Sequence, residues 1–250
     1  LLVIASPGAP PDDMRAFQAV AAERDQKRRA MRDAMDAEFA KRTGDHRVGT
    51  RNAILSRATT MMRSSDAKAF PIDDEPEAVK AAYGDTEFGR GCLTARRLVE
   101  LGVPFVEVTL DGWDTHENGF ERTAKLMGTL DPAASTLIKE LKARNLLEKA
   151  LVVCMGDFGR TPDINGNDGR DHHPGAWSAV LAGAGIRKGV VVGETDAEGG
   201  KVVKGAVSVP SVVATLATVM GLDPGDTAMS PAGRPIALAD AGTPVRELLA

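Results

Sequence analysis

The sequence is poor in aromatic residues, histidine and cysteine, so the few positions where these residues occur are informative. Aromatic residues make up 4% of the 250 residues, and the chain has two tryptophans and four histidines. The two cysteines, Cys92 and Cys154, lie in apolar stretches and lack the spacing of a zinc finger. We expect both to be buried thiols, because free cysteine is among the most buried residue types.

The chain also lacks a strong excess of either charge and any long apolar run. Its formal net charge of −4 predicts no general attraction to nucleic acid or to an anionic membrane. No apolar run approaches the roughly 20 residues that a membrane-spanning helix needs. The N-terminal "LLVIASPGAPP" is apolar for only five residues and has no basic region before it, so it is too short to indicate a signal peptide. Its first residue is Leu, which indicates a processed or truncated product.

The first third of the chain has a helical pattern. Residues 12–42 predict one long helix whose middle, "ERDQKRRAMRD", is charged and solvated, and a second helix is predicted over residues 50–65. A proline-broken loop, "AFPIDDEPE", follows. We therefore predict a helical N-terminal segment over residues 1–85 and an α/β domain over residues 86–250.

From residue 86 onward, helical and strand-like patterns alternate. Three strand-like runs are "VPFVEVTL" at 103–110, "ALVVCM" at 150–155 and "WSAVLAG", and the first shows the period-two alternation of a half-buried strand. Asp131 and Pro132 resemble a helix start within residues 117–144, so we predict two helices there. "GVVVGETDAEGGKVVKG" predicts a hairpin, and Ser208 predicts the N-cap of a further helix.

This alternation predicts an α/β fold with a mainly parallel sheet flanked by helices. Ligands of such sheets bind beyond the carboxyl ends of the strands. Polar loops follow the first two strand-like runs, and three of the four histidines lie in them. We therefore expect these loops to converge on one edge of the sheet.

The two loops carry carboxylates, imidazoles and guanidiniums in a pattern that indicates a divalent metal site. Imidazole and carboxylate together suit Zn²⁺, Mn²⁺ or Fe more than Ca²⁺, which prefers oxygen ligands. The candidate metal ligands are Asp114, His116, Asp157, Asp171 and His172. Arg160 and Arg170 are candidate catalytic residues, because a guanidinium fork suits a tetrahedral oxyanion.

Structural interpretations of the same residues stay open. Asp and His are common in loops because their side chains cap turns, so these residues could only tie the loops together. Arg160 and Arg170 could be ion-pair partners of Asp157 and Asp171. Trp113 could pack the loop against the core. We interpret the remaining histidine outside the two loops, in "TGDHRVG", as a surface residue.

Several phrases carry a family resemblance. "AYGDTEFGRGCLTARRLVELGVPFVEVTLDGWDTHENGF", "LVVCMGDFGRTPDINGNDGRDHHP" and "LAGAGIRKGVVVGETDAEGGKV" strongly resemble a bacterial family catalogued as "domain of unknown function 1501". The resemblance covers most of the chain from about residue 30 onward. That family looks similar to the alkaline phosphatase and sulfatase superfamily, whose α/β members use metals in phosphate or sulfate ester chemistry.

The resemblance implies roles for individual residues. Asp114 and His116 match a tryptophan–Asp–Thr–His motif, Asp157 and Arg160 a Gly–acid–Phe–Gly–Arg motif, and Arg170, Asp171 and His172 a Gly–Arg–Asp–His motif. Acids and histidines at such positions hold the metals in the superfamily. This chain has Asp157 where the family usually has Glu, and His173 where it usually has an aromatic residue, so His173 inherits no role.

The resemblance also leads to an expectation about function. Relatives carry a longer N-terminal portion that includes the first strand, a metal-binding acid and the nucleophile, and often an export signal, so we expect this chain to be the C-terminal part of an exported protein. The predicted function is metal-dependent hydrolysis of a phosphate or sulfate ester of a small molecule or glycan. The alternative is a non-catalytic binding or scaffold module that keeps the superfamily fold.

Overall fold

The structure is a computed structural model that describes residue 8 and residues 22–44, 47–63, 69–230 and 233–250. Two predictions lie outside these residues: the surface position of His46, the histidine in "TGDHRVG", and the part of the first predicted helix at residues 12–21. The chain divides into two compact units, Leu1–Val108 and Thr109–Ala250. The predicted domain boundary between residues 85 and 86 stays a prediction.

Unit 1 is helical in its described part. Two longer helices are followed by two that lie against each other, and the first two also contact each other. Ion pairs such as Lys27–Glu23 and Arg29–Asp25 at i,i+4 spacing support the charged first helix, as its solvated pattern predicts. The four helices are α1 (Ala22–Thr43), α2 (Arg47–Arg63), α3 (Glu77–Tyr83) and α4 (Glu87–Glu100).

Helix α4 carries most of the core of unit 1. It starts where the Thr86 side chain accepts a hydrogen bond from the backbone N–H of Gly89 at 3.0 Å. It ends before Gly102, which takes a left-handed φ of 79°. Leu98 on this helix forms a buried cluster with Ala69 and Phe70.

Two arginines of α4 anchor the loop that precedes α3 through ion pairs. Arg96 is 3% exposed and contacts Glu75, which is 8% exposed, at 2.7 Å. Arg97 contacts both Glu75 and Asp74. Burial raises the pKa of Glu75, but the hydrogen bonds from Arg96 and Arg97 outweigh burial, so the pKa lies below its ordinary value.

Unit 2 contains two helices and eight short strands in its described part. Long helix α5 (Gly119–Ala143) opens the unit, and α6 (Val209–Val219) starts at Ser208, whose hydroxyl accepts from the backbone N–H of Ser211, as predicted. A 3₁₀ turn, Arg246–Leu248, lies near the C-terminus. The strands are β1 (Leu151–Cys154), β2 (Gly159–Arg160), β3 (His172–His173), β4 (Val180–Gly183), β5 (Glu194–Thr195), β6 (Val202–Lys204), β7 (Thr227–Met229) and β8 (Pro235–Ala237).

The predicted fold class is wrong. The strands form four separate two-stranded antiparallel pairs, so the chain is a small α+β fold rather than a mainly parallel sheet flanked by helices. Strand β1 pairs with β4 in register Leu151↔Gly183. A parallel pair needs a crossover of a dozen or more residues, usually a helix. The connection from β1 to β4 instead contains the β2–β3 pair, and the chain returns antiparallel.

The predicted strand at residues 103–110 is also wrong. The expected alternation of burial occurs, since Val106, Val108 and Leu110 are more buried than Glu107 and Thr109. No neighbouring strand pairs with this segment in the described part of the chain. Alternation reports which side chains face a core, but a strand also needs a hydrogen-bonded partner, which the pattern does not reveal.

The predicted break at Asp131–Pro132 does not occur. Helix α5 continues through Pro132. A proline inside a helix costs ~3 kcal/mol because it removes one hydrogen bond and crowds the preceding turn. Ala133 and Leu141 on the following turns are fully buried, and this packing favours the continuous helix over the local signal.

Other predictions have mixed outcomes. The predicted hairpin at "GVVVGETDAEGGKVVKG" forms as the β5–β6 pair, whereas the β7–β8 pair was not predicted. Cys92 is buried as expected, but Cys154 is exposed. Within the described residues, none of the helices combines the length and apolar character needed to cross a membrane.

We predict that Glu75→Gln lowers the free energy of unfolding by about 3 kcal/mol, because it removes a buried carboxylate that pairs with both Arg96 and Arg97 and leaves Arg96 with Glu100 as its acidic partner. Chemical denaturation measures this change. Glu77→Gln is the matched control, since Glu77 is 86% exposed and pairs with Lys80 at i,i+3 spacing. Equal unfolding free energies for the two variants would contradict the structural role of the Glu75 pair.

Candidate metal centre

A two-residue antiparallel pair supplies one side of the site. Strands β2 and β3 pair in register Arg160↔His172, and Gly159 faces His173. Directly opposite residues of an antiparallel pair project their side chains to the same face. The pairing continues beyond the strands, because the backbone N–H of Thr161 donates to the carbonyl of Asp171 at 3.0 Å. Arg160 and His172 therefore present their side chains together.

The loop of residues 111–118 supplies the other side and is attached to the 165–170 turn by backbone hydrogen bonds. Asn118 N–H donates to Asn167 O at 3.0 Å, and Arg170 N–H donates to Thr115 O at 3.1 Å. The two backbones approach so closely at Gly169 that a Cβ there would lie 2.1 Å from the carbonyl carbon of His116. This attachment sets the position of the loop that carries Asp114 and His116.

The carboxylate of Asp114 lies at the centre of the site. One oxygen, Oδ1, is hydrogen-bonded to His172 Nε2 at 3.0 Å and accepts from Arg160 Nη2 at 2.8 Å. The same oxygen lies 3.0 Å from His116 Nδ1. An ionised carboxylate only accepts hydrogen bonds, so the bond to His172 requires a hydrogen on Nε2. The structure thus brings together one acid, two histidines and one arginine from both loops.

Three of these residues bring side-chain atoms of metal-ligand type close together. One ligand atom each from Asp114, His116 and His172 lies within 4.8 Å of the others. The two imidazole rings have their centroids 4.7 Å apart, and the ring of Phe158 lies 4.4 Å from that of His172. The Asp114 side chain is 69% exposed, so solutes can reach the group.

The electrostatics of the site favour the charged form of Asp114. The hydrogen bond from His172 and then that from Arg160 lower the pKa of Asp114 from 3.8 to about 2. A carboxyl group with a lowered pKa in the folded state stabilises the fold fully above its ordinary pKa. This contribution is lost as the pH falls from about 4 to about 2.

The other predicted site residues lie outside the three-residue group. Asp157 Oδ1 accepts from the N–H of the next residue at 2.9 Å, which is a turn contact. Asp171 Oδ1 accepts from the side-chain amide of Asn165 at 3.0 Å. Arg170 donates to the carbonyls of Thr161 and Pro162. Their predicted roles as ligands or catalytic groups stay predictions.

Arg160 contacts both loops of the site. Besides Asp114, it donates to the carbonyls of Trp113 at 3.0 Å and Arg170 at 3.2 Å. Its guanidinium thereby links both loops to the central carboxylate. Asp157, the ion-pair partner that the sequence suggested for Arg160, is not among these three acceptors.

Sequence reasoning missed two residues that contact the site. Phe158 lies against the His172 ring, and Asn165 bonds to the His116 carbonyl at 2.9 Å. Asn side chains commonly organise turns by bonding to the backbone two residues on, and that signal pointed to Asn165.

A comparison with known protein families identifies the family to which this chain belongs. Residues 1–249 match the family described as "Protein of unknown function (DUF1501)". The chain belongs to the DUF1501 family. No match was found among curated proteins or among solved structures.

Membership of the DUF1501 family agrees with the resemblance seen in the sequence motifs. The structure shows where the residues of these motifs lie. The tryptophan–Asp–Thr–His motif supplies Asp114 and His116, and the Gly–Arg–Asp–His motif supplies His172. The Gly–acid–Phe–Gly–Arg motif supplies Phe158 and Arg160, which contact the same group. Three separate sequence motifs therefore meet at one point of unit 2.

We predict that Arg160→Gln raises the pKa of Asp114 above about 2 and toward 3.8, because it removes a charged hydrogen-bond donor. A ¹³C NMR titration of the Asp114 carboxyl carbon in metal-free protein measures this pKa. Arg187→Gln is the control, since Arg187 is exposed and is not among the contacts of Asp114. The same Asp114 pKa in wild type and Arg160→Gln would refute the assigned contact.

Proposed function

We propose that the chain binds one divalent metal ion through Asp114, His116 and His172. The observation that carries this proposal is the convergence of one carboxylate oxygen and two imidazole nitrogens within 4.8 Å of one another. Two imidazoles and one carboxylate are a donor set that suits Zn²⁺, Mn²⁺ or Fe²⁺.

The separations of the two imidazole nitrogens from the carboxylate oxygen fit a common metal. Metal bonds of about 2.1 Å at angles of 90–109° hold neighbouring ligand atoms about 3.0–3.4 Å apart. Both imidazole nitrogens lie 3.0 Å from Asp114 Oδ1. A metal would take the ring nitrogens that face Asp114, so each imidazole would then carry its proton on its other ring nitrogen. An imidazolium has no free nitrogen lone pair, so protonation competes with the metal. Metal affinity is therefore expected to fall in acid.

Three protein ligands leave at least one coordination position open. A bound divalent ion supplies a Lewis acid that polarises an ester oxygen and lowers the pKa of a bound water. Asp114, His116 and His172 would hold this ion. Arg160, beside Asp114, provides a positive charge close to the position that an anionic ester would take.

We propose further that the bound metal serves the hydrolysis of a phosphate or sulfate ester. The support is the solvent-accessible donor group and the neighbouring guanidinium of Arg160. The substrate in this proposal is an ester of a small molecule or a glycan.

We expect purified wild-type protein to bind about one equivalent of Zn²⁺ or Mn²⁺. His172→Ala removes a ligand, so its affinity should fall by more than the 10–100-fold typical for loss of an outer partner. Isothermal titration calorimetry and elemental analysis measure affinity and content. The control is Asp157→Ala, because Asp157 is exposed and lies outside the donor group.

Two results would contradict the metal proposal. One is negligible binding of both metals by folded wild-type protein. The other is equal affinity of wild type and His172→Ala, which would assign the metal to other residues.

The hydrolysis proposal has its own assay. We expect the metal-loaded protein to cleave an aryl phosphate or an aryl sulfate, with activity lost on chelation and in His172→Ala but kept in Asp157→Ala. The physical reason is that the ion and its open position are present only with all three ligands. Metal binding without cleavage of either ester would reject the hydrolase and support the binding-module alternative.

A further inference from the structure

We propose that Asn165 is a positioning residue that holds the two ligand-bearing segments at the distance the metal requires. This inference rests on the proposed metal site and goes further, because Asn165 offers no ligand itself and acts through His116 and the residue before His172. Asn165 begins the 165–170 turn of the second loop, on the side that is attached to the 111–118 loop.

The side-chain amide nitrogen of Asn165 bonds to both segments. Nδ2 donates to the backbone carbonyl of His116 at 2.9 Å and to Asp171 Oδ1 at 3.0 Å. His116 is a proposed ligand, and Asp171 immediately precedes the proposed ligand His172. One NH₂ group therefore spans the gap between the two segments that carry the imidazoles.

The amide oxygen of the same side chain organises the turn. Oδ1 accepts from the backbone N–H of Asn167 at 2.9 Å and from that of Gly169 at 3.1 Å. The Asn165 backbone N–H adds a bond to the carbonyl of Gly169 at 2.9 Å. Gly169 is the residue whose backbone lies against His116, so the turn and the ligand loop are held as one piece.

These contacts use the full hydrogen-bonding capacity of an asparagine side chain and define its orientation. An amide has two N–H donors and an oxygen with two lone pairs. Here the nitrogen faces two acceptors and the oxygen faces two donors, and the opposite orientation would set like groups against each other. Aspartate has the same shape but cannot donate, and it would place a carboxylate beside the His116 carbonyl and the Asp171 carboxylate.

The matched experiment compares Asn165→Asp with Asn167→Asp in the full chain. Both make the same chemical change in the same turn, but Asn167 is exposed and contributes its backbone to these contacts. We expect Asn165→Asp to weaken Zn²⁺ binding about 10–100-fold, the range for an outer partner of a metal ligand. Asn167→Asp should stay within about twofold of wild type, and the melting temperature of each variant is recorded in parallel.

A spectroscopic readout separates positioning from general destabilisation. The d–d absorption of Co²⁺ bound in place of Zn²⁺ reports the ligand geometry, and we expect it to change in Asn165→Asp but not in Asn167→Asp. Should Asn165→Asp not fold, Asn165→Gln replaces it, because glutamine keeps the amide but is one methylene too long for all four bonds. Wild-type affinity and an unchanged Co²⁺ spectrum in the folded Asn165 variant would overturn the proposal.

A metal-free measurement distinguishes this inference from the metal proposal. The His116 and His172 rings lie with centroids 4.7 Å apart, within reach of a nuclear Overhauser effect. With four histidines in the chain, the ring signals can be assigned by substitution. Loss of this ring-to-ring signal in Asn165→Asp alone supports positioning even where wild type binds no metal. Its persistence refutes positioning, whatever the metal result.

Discussion

A single carboxylate oxygen is the point on which the proposed site depends. Asp114 Oδ1 is hydrogen-bonded to the His172 imidazole and the Arg160 guanidinium and lies 3.0 Å from His116 Nδ1. These three residues belong to three different sequence motifs. The hydrogen bonds from His172 and Arg160 keep the carboxyl group ionised far into the acid range. Because Asp114 is largely exposed, its charge is accessible to a cation. A divalent ion held there would be coordinated by Asp114, His116 and His172, and each imidazole would then carry its proton on its other ring nitrogen.

The backbone around Asp114 explains how short, irregular segments can hold such a site. The β2–β3 pair aligns Arg160 with His172, and the 115–119 segment is attached to the 167–170 turn by a series of backbone hydrogen bonds. Gly169 permits the close approach of these segments. The Asn165 side chain then closes the remaining gap. Hydrogen bonds between these local segments set the positions of the site residues, and the edge of a regular sheet does not.

The sequence indicated which residues lie together better than it indicated the fold that positions them. Five candidate ligands were selected by residue type, and the structure brings three of them together, Asp114, His116 and His172. The expected route to convergence, neighbouring carboxyl ends of parallel strands, was wrong. Period-two burial at 103–110 and the apolar run at 151–154 do not encode the partner or direction of a strand. The sequence around Pro132 predicted a helix break, but the burial of Ala133 and Leu141 favours a continuous helix. Asn165 was missed since its function lies in four contacts that depend on the folded turn.

The most direct measurement of the central claim is a crystal structure of the chain grown with Zn²⁺ and recorded at the zinc absorption edge. The account predicts one anomalous peak about 2.0–2.2 Å from an Asp114 oxygen, from His116 Nδ1 and from His172 Nε2. An absent peak, with both imidazoles and Arg160 still in contact with Asp114 Oδ1, would contradict it.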